Sequence, residues 1–275
     1  MDKGAVEELE MHMLIQAVRQ AYGYDLLRYA EPSLRRRLLH WLGASGFASF
    51  SQAQGRVLRE PKLFDSLIQG ITVNVTEMFR DPPFFAALRE HVVPYLRTVP
   101  FARIWHAGCS SGEEAYSMAI LLHEAGLAGR YRLYATDVNE TVLAQARDGI
   151  FPSKAMQAAT RNYQLAGGSA SFGDYYTANY EHAIMAATLR EHIVFAPHNL
   201  LTDAAFGQMD MVLCRNVMIY FKMPWKEHCI ALFDSCLRPG AALCVGIKET
   251  LDGKLHGRRY QLLAPRTGIY RKCYE

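Results

Sequence analysis

The chain lacks any run long and apolar enough to span a bilayer. Its first residues, MDKGAVEELEMHM, mix charge with apolar character where a secretory signal needs an uninterrupted apolar stretch. Neither membrane insertion nor export is expected, and the reading is cytoplasmic. Net charge is scarce too: 30 Lys and Arg stand against 27 Asp and Glu, a formal excess of +3. That balance excludes the sequence-wide electrostatic footprint of a nucleic-acid binder and leaves any basic surface local. The six cysteines, Cys109, Cys214, Cys229, Cys236, Cys244 and Cys273, show neither CxxC spacing nor the histidine pattern of a zinc site, so no metal is expected. Several lie in apolar strand-like runs, as small hydrophobes do. They suit a reducing compartment, although an even number also permits disulfides. Repeats and low-complexity tracts are absent as well. What remains is 275 residues, 50% of them apolar, enough for one large domain or a small domain joined to a larger one.

The first seventy or so residues read as helices. Residues 7–22 carry Leu9, Met13, Leu14 and Val18 at helical spacing. A second helix opens at Pro32 and fades at Gly43 and Gly46, and two more are expected near 49–58 and 61–71. From Phe101 the texture changes to β-rich runs alternating with helical ones: RIWHAG, EEAYSMAILLHEAG, YRLYATDV, ETVLAQARDG, then EHIVFAPHNL, DMVLCRNVMIY, KEHCIALFDSCL and ALCVGI. Such alternation predicts right-handed βαβ units and a mainly parallel sheet covered on both faces, an α/β fold. RYQLLAP and GIYRKC flank a short turn at 266–268 and read as an antiparallel hairpin at one end of that sheet. Between 151 and 191 the alternation lapses; GGSAS and FGDYYTANY predict an insertion with a small β element, near 172–193.

Polar residues collect at the strand ends. The first strand closes on His106-Ala107-Gly108-Cys109-Ser110-Ser111-Gly112-Glu113-Glu114. Small residues let the backbone turn tightly and approach a ligand at the carboxyl edge of the sheet. The spacing departs from GxGxxG and fits a pyrophosphate cradle poorly. Two acids at the helix start repel phosphate and suit an ammonium group, yet an ordinary turn whose acids complement the helix dipole accounts for them equally well. Asp137, at the end of the second strand, stands where a doubly wound fold places a carboxylate for ribose hydroxyls; capping the helix near Glu140 is its competing role. Asn199-Leu200 and Arg215-Asn216-Val217-Met218-Ile219-Tyr220-Phe221 close the third and fourth strands at the same edge.

Five segments carry a resemblance: NVTEMFR (74–80), WHAGCSSGEEAYS (105–117), Ala135-Thr136-Asp137, AQARDGI (144–150) and CRNVMIYF (214–221). In this order, and across nearly the whole chain, they resemble the chemotaxis receptor methyltransferases called CheR. The resemblance implies a class I S-adenosylmethionine methyltransferase: a doubly wound, mostly parallel sheet ending in an antiparallel hairpin, with a small N-terminal all-helical domain and a small β insertion. Residues 1–72 would be the receptor-docking helical domain and 73–275 the cofactor-binding domain. The implied activity is O-methyl transfer from S-adenosylmethionine to glutamate side chains of a methyl-accepting chemoreceptor, which sets adaptation of a chemosensory pathway and leaves S-adenosylhomocysteine. By position, Asn74, Thr76 and Arg80 would reach the cofactor or the incoming glutamate. Gly108 would allow backbone approach, Glu114 would hold the cofactor's amino group and Asp137 its ribose. Asn199 and Leu200 would flank the adenine, while Arg215, Asn216 and Tyr220 would line the methyl-transfer side. Arg35, Arg36 and Arg37 would dock the receptor's acidic helices, with a solvated helix face as the competing account.

The departures from the family pattern also count. Ala115 replaces a common proline, GIKETL replaces a glycine-histidine-serine-glutamate pattern, and the insertion looks too short to clasp a receptor's C-terminal pentapeptide. Independence of such a tether is expected. The compact insertion also resembles the CheR-like enzymes of Wsp surface-sensing systems, in which a repeat extension follows the catalytic part; that resemblance implies that the chain would be a catalytic fragment. A monomer is expected. Three rivals stand beside this reading. Asp81-Pro82-Pro83-Phe84 matches the acid-Pro-Pro-aromatic loop of nucleic-acid amino methyltransferases, but its place predicts that the prolines open a helix. A nicotinamide dehydrogenase is disfavoured by the poor phosphate loop. A catalytically silent adaptor that senses S-adenosylmethionine or S-adenosylhomocysteine is the third.

Overall fold

A computed structural model describes residues 2–72, 76–249, 251 and 259–274. The chain divides into two units, one of residues up to 74 together with Tyr220–Lys226, the other of Val75–Ile219 and Glu227–Glu275.

The first unit is helical: α1 (Lys3–Tyr22), a 3-10 turn (Leu26–Arg28), α2 (Glu31–Ala44), α3 (Phe50–Val57) and α4 (Pro61–Ile71). On α1 the buried residues are Met11, Leu14, Ile15 and Val18, an i, i+3, i+4, i+7 stripe, whereas Leu9 and Met13 are 50% and 51% exposed. The stripe expected through Leu9 and Met13 is thus shifted. Ile15 beside Leu14 sets its centre, and Leu9 and Met13 fall on the flank. Gly23, at φ 69, closes α1 with its N–H on the Arg19 carbonyl. Ser49 caps α3 by accepting from Gln52 N, and Pro61 opens α4. Gly70 lets α4 approach α2, since a Cβ there would come within 2.9 Å of Trp41 Cδ1. Residues Tyr220–Lys226 join this unit through main-chain bonds: Ala30 N donates to the Tyr220 carbonyl at 2.8 Å and Lys222 N to the Arg28 carbonyl at 3.0 Å.

The second unit holds strands β1 (Ala102–Ala107), β2 (Tyr131–Asp137), β3 (Ile150–Pro152), β4 (Tyr176–Ala178), β5 (His182–Met185), β6 (Ile193–Pro197), β7 (Met209–Cys214), β8 (Leu237–Val245), β9 (Tyr260–Ala264) and β10 (Ile269–Lys272). Seven form a sheet in the order β6-β2-β1-β7-β8-β10-β9. Its first five strands run parallel, and the β9–β10 hairpin pairs antiparallel to β8 through β10. Every residue of β7 is buried, as befits a central strand covered on both faces. The helices of this unit are α5 (Pro82–His91), α6 (Val93–Thr98), α7 (Glu113–Glu124), α8 (Glu140–Asp148), α9 (Ser153–Leu165) and α10 (Ala187–Arg190); α11 (Met223–Cys236) begins within the first unit's share and continues in the second. The fold is the α/β class expected, hairpin included.

The small antiparallel sheet has the order β3-β5-β4 and starts at Ile150, earlier than the 172–193 segment expected for it. A three-residue strand is too short to show alternation, and α9 lies between it and its partners. Glu124, buried at the end of α7, ties the intervening loop down. It accepts from Tyr163 Oη, Ser169 N and Oγ, and Ala170 N, and pairs with Arg89. Among the described residues, no helix is long and apolar enough to cross a membrane.

Candidate functional site

Strand order reverses between β1 and β7, so the loops leaving the carboxyl ends of β1, β2, β6 and β7 surround the crevice where an open α/β sheet binds ligands. The β1 loop turns through left-handed backbone at Gly108 (φ 78), Ser110 (φ 51) and Gly112 (φ 97). Gly108 N and Cys109 N both donate to the Thr136 carbonyl, at 2.7 and 2.9 Å, which welds this loop to the end of β2. A Cβ on Gly108 would overlap Val217, and one on Gly112 would meet Ala146 Cβ at 3.0 Å. Both glycines are required by their φ and by close approach.

Asp137 completes the weld. Its Oδ2 accepts from Ser110 N at 2.9 Å and its Oδ1 from Asn139 N at 3.0 Å. Capping of α8 falls to Asn139, which accepts from Thr141 N and Val142 N. The competing role for Asp137 is therefore taken by its neighbour. Burial pushes the Asp137 carboxyl up, against the pull of the amides of Asn139, Ser110 and Val138. Three amides leave about one of the carboxylate's four lone-pair sites open. Next to it, the buried Ser110 Oγ has no hydrogen-bond partner among the described residues. A buried acceptor with spare capacity beside an unsatisfied hydroxyl fits a hydroxyl-bearing ligand such as a ribose.

Glu114 and Arg215 meet within the same unit. The Arg215 side chain is fully buried: Nη1 donates to Glu114 Oε2 and to the Arg80 carbonyl, and Nη2 to Asp81 Oδ2 at 2.6 Å. The guanidinium lies over the Phe84 ring, 3.9 Å from its centroid. His106 Nε2 stands 3.2 Å from Glu114 Oε1. Burial would raise the Glu114 carboxyl, but Arg215 and His106 outweigh it and hold it down to about 2. One guanidinium thus faces two carboxylates, the buried Glu114 and the 39% exposed Asp81. The Asp81-Pro82-Pro83-Phe84 motif is consumed here: Pro82 starts α5, Asp81 accepts from Arg215 and Phe84 carries its flat face. Asp81 (φ 59) and Phe79 (φ 53) both occupy left-handed backbone, and Phe79 N is pinned by Ser117 Oγ at 2.8 Å.

Of the other expected residues, Thr76 and Arg80 are half-buried, and Asn74 lies outside the described residues. Asn199 closes a turn, its Oδ1 accepting from Leu201 N at 3.0 Å, and Leu200 is buried beside it. Asn216 is left-handed at φ 61, and its N–H goes to Glu249. Tyr220 belongs to the helical unit, where the Arg37 guanidinium covers its ring. Sequence reasoning missed Asp81, Phe84, His106 and Glu249. The last lies in the departing GIKETL loop and accepts from Asn216 N, Gly246 N and Ile219 N at 2.7, 2.7 and 3.0 Å. Of the three arginines expected to dock a partner, Arg37 is buried and unfit for it, because neighbouring helix positions point about 100° apart. Arg35 and Arg36 are exposed, and Arg35 pairs with Glu7 at 3.1 Å.

Comparison with known proteins adds a second line. Residues 74–265 match the family described as CheR methyltransferase, SAM binding domain, and residues 9–72 match CheR methyltransferase, all-alpha domain. The Pseudomonas putida protein Cher3 is 43% identical over 96% of this chain and 97% of its own length. The chemotaxis protein methyltransferase of Listeria innocua is 31% identical over 86% of this chain and 88% of its own. That of Escherichia coli is 28% identical over 90% and 86%.

Proposed function

We propose that this chain, which belongs to the CheR methyltransferase family and is an S-adenosylmethionine-dependent methyltransferase, esterifies glutamate side chains of a methyl-accepting chemoreceptor. The observation that carries the reading is the pairing, on one unit, of two carboxylates gathered on Arg215 with a buried carboxylate beside an unsatisfied hydroxyl. Glu114, with Asp81 on the same guanidinium, offers carboxylate oxygens to the cofactor's ammonium. Asp137 with Ser110 suits its ribose. When bound, S-adenosylmethionine supplies a methyl group made electrophilic by the positive sulfur.

The residues of the chain then have mostly binding work. A glutamate side chain, with a reference pKa near 4.3, is already an ionised nucleophile at neutral pH, so no general base is needed. Glu114 takes the amino group, Gly108 gives backbone approach, and Asn199 and Leu200 border the adenine. Thr76 and, by its place in the NVTEMFR motif alone, Asn74 are assigned to the cofactor. Arg80 grips a carboxylate through its planar fork. Arg215, held by Asp81 and Phe84, lines the methyl-transfer side with Asn216 and Tyr220. Alignment of carboxylate oxygen, methyl carbon and sulfur can contribute up to roughly 7–11 kcal/mol, and excluding water from opposite charges that partly cancel adds to it. Arg35 and Arg36 dock acidic receptor helices. A three-stranded insertion whose strands run three or four residues supports action without a C-terminal pentapeptide tether. All six cysteines are unpaired, which supports a cytoplasmic setting.

The test is methyl transfer from labelled S-adenosylmethionine to membranes bearing a methyl-accepting chemoreceptor. The expected product is an alkali-labile ester on the receptor. Alkali-stable label would mean an amine acceptor and defeat the reading. Tight S-adenosylhomocysteine binding without any transfer would assign the chain to cofactor sensing instead.

A further inference from the structure

Arg37 is the inward-turning member of its arginine run, with 8% of its surface exposed. Leu34, Leu38 and Trp41 face the interior of the helical unit, and Arg37 shares their side of α2. A guanidinium taken out of water must be matched by partners. Burial lowers the Arg37 pKa, and Tyr220 pulls it back.

Two partners meet it. Nη1 donates to the Ile71 carbonyl, at the end of α4 where unpaired carbonyls concentrate partial negative charge. The guanidinium plane covers the Tyr220 ring at 4.2 Å from its centroid. An ammonium on a flexible stem can satisfy either partner, whereas the planar fork serves both from one fixed position. Tyr220 is also the first residue of the Tyr220–Lys226 segment in this unit. That segment is tied by backbone bonds from Ala30 and Lys222 and by a bridge between Tyr29 and Phe221. Such bonds settle the path of the main chain and leave the orientation of a side chain to side-chain contacts.

We propose that Arg37 is a positioning residue for methyl transfer: it holds the Tyr220 ring in its working orientation and anchors that ring to the end of α4. The inference rests on the role given to Tyr220 above and adds the group that enforces it.

A double-mutant cycle of Arg37→Lys and Tyr220→Phe in the full chain tests it. Its readouts are kcat and KM for S-adenosylmethionine on chemoreceptor-bearing membranes, S-adenosylhomocysteine affinity by calorimetry, and melting temperature. Arg37→Lys should lower kcat about tenfold to a hundredfold, the effect of misplacing a group by an ångström. KM and S-adenosylhomocysteine affinity should stay within about threefold, and the double variant should be no slower than Tyr220→Phe alone. Losses that multiply would overturn the inference while leaving Tyr220 its role. Unchanged kcat with a lowered melting temperature would reduce Arg37 to a fold residue and overturn it equally. Wild-type kcat in Tyr220→Phe would instead remove the role of Tyr220 and the inference with it. If the lysine variant does not fold, Arg37→Met, which keeps the buried stem, takes its place in the cycle.

Discussion

Asp137 and Glu249 are both buried acids at the carboxyl rim of the same sheet, and both spend their oxygens on backbone amides. Asp137 draws on the amides of Ser110, Asn139 and Val138 and sits beside the unsatisfied Ser110 hydroxyl; Glu249 holds three amides drawn from two loops. The difference separates a ligand acceptor from a brace. A carboxylate held by three amides keeps about one of its four lone-pair sites, so what marks a ligand acceptor is a neighbouring buried group that itself lacks a partner. Residue type, burial and the number of amides do not distinguish the two; the unsatisfied Ser110 hydroxyl beside Asp137 does.

The sharpest way to break that comparison is to remove the brace. Glu249→Ala leaves the buried amide of Gly246 and the part-buried amides of Asn216 and Ile219 without their acceptor, and should cost about 3 kcal/mol. It should also free the backbone of residues 216–219, so methyl transfer falls with stability. Denaturant midpoints measure the first effect. A loss below about 1 kcal/mol would show that water replaces the carboxylate and that Glu249 braces nothing.

Glu114 offers a comparison of comparable size, read by pH. Its carboxyl, held down to about 2 from an ordinary 4.5, binds a proton in the folded chain only at lower pH than in the unfolded one. The stabilisation is therefore complete above about pH 4.5 and drains away as pH falls toward 2. Linkage puts it at about 3 kcal/mol. Glu114→Gln should flatten the stability profile across that window. A profile as steep as that of the parent chain would move the responsible group elsewhere.

Asp137→Asn acts through the ligand. The amide keeps one acceptor oxygen and presents an NH2 to the other backbone N–H, so stability falls by about 1 kcal/mol. S-adenosylhomocysteine affinity, measured by calorimetry, should fall at least about tenfold, because the variant cannot hold both loops and accept a hydroxyl at once. If stability dropped as far as in Glu249→Ala while affinity held, the two acids would be alike and the distinction void.

How much of this could be read from residues alone follows the same line. Gly108, Glu114, Asp137 and Arg215 stood out because polar and small residues interrupt apolar strands at their ends, a pattern local to each segment. The prolines of Pro82-Pro83 announced a helix start, and α4 announced itself by Pro61. Glu249 was illegible because its partners are backbone amides, which every residue possesses and no sequence distinguishes. Asp81 and Phe84 were hidden differently: their partner Arg215 lies more than a hundred residues on, and the motif resembles a loop of another chemistry. The phase of α1 and the inward turn of Arg37 depended on which of two apolar stripes faces the bundle. Only packing decides that.

The smallest effect concerns Arg36, which shares a run with Arg37 yet points to solvent. An exposed charge on α2 adds little to folding, since surface pairs such as Arg35 with Glu7 are worth at most about 1 kcal/mol. If Arg36 meets acidic receptor helices, Arg36→Glu should raise KM for receptor membranes severalfold, with the gap narrowing as salt is added. S-adenosylhomocysteine affinity and melting temperature should not move. A KM that ignores both charge and salt would return Arg36 to the role of a solvated helix face. The docking surface would then have to be sought away from α2, while the proposed task of Arg37, which depends on burial and not on reach into solvent, would stand.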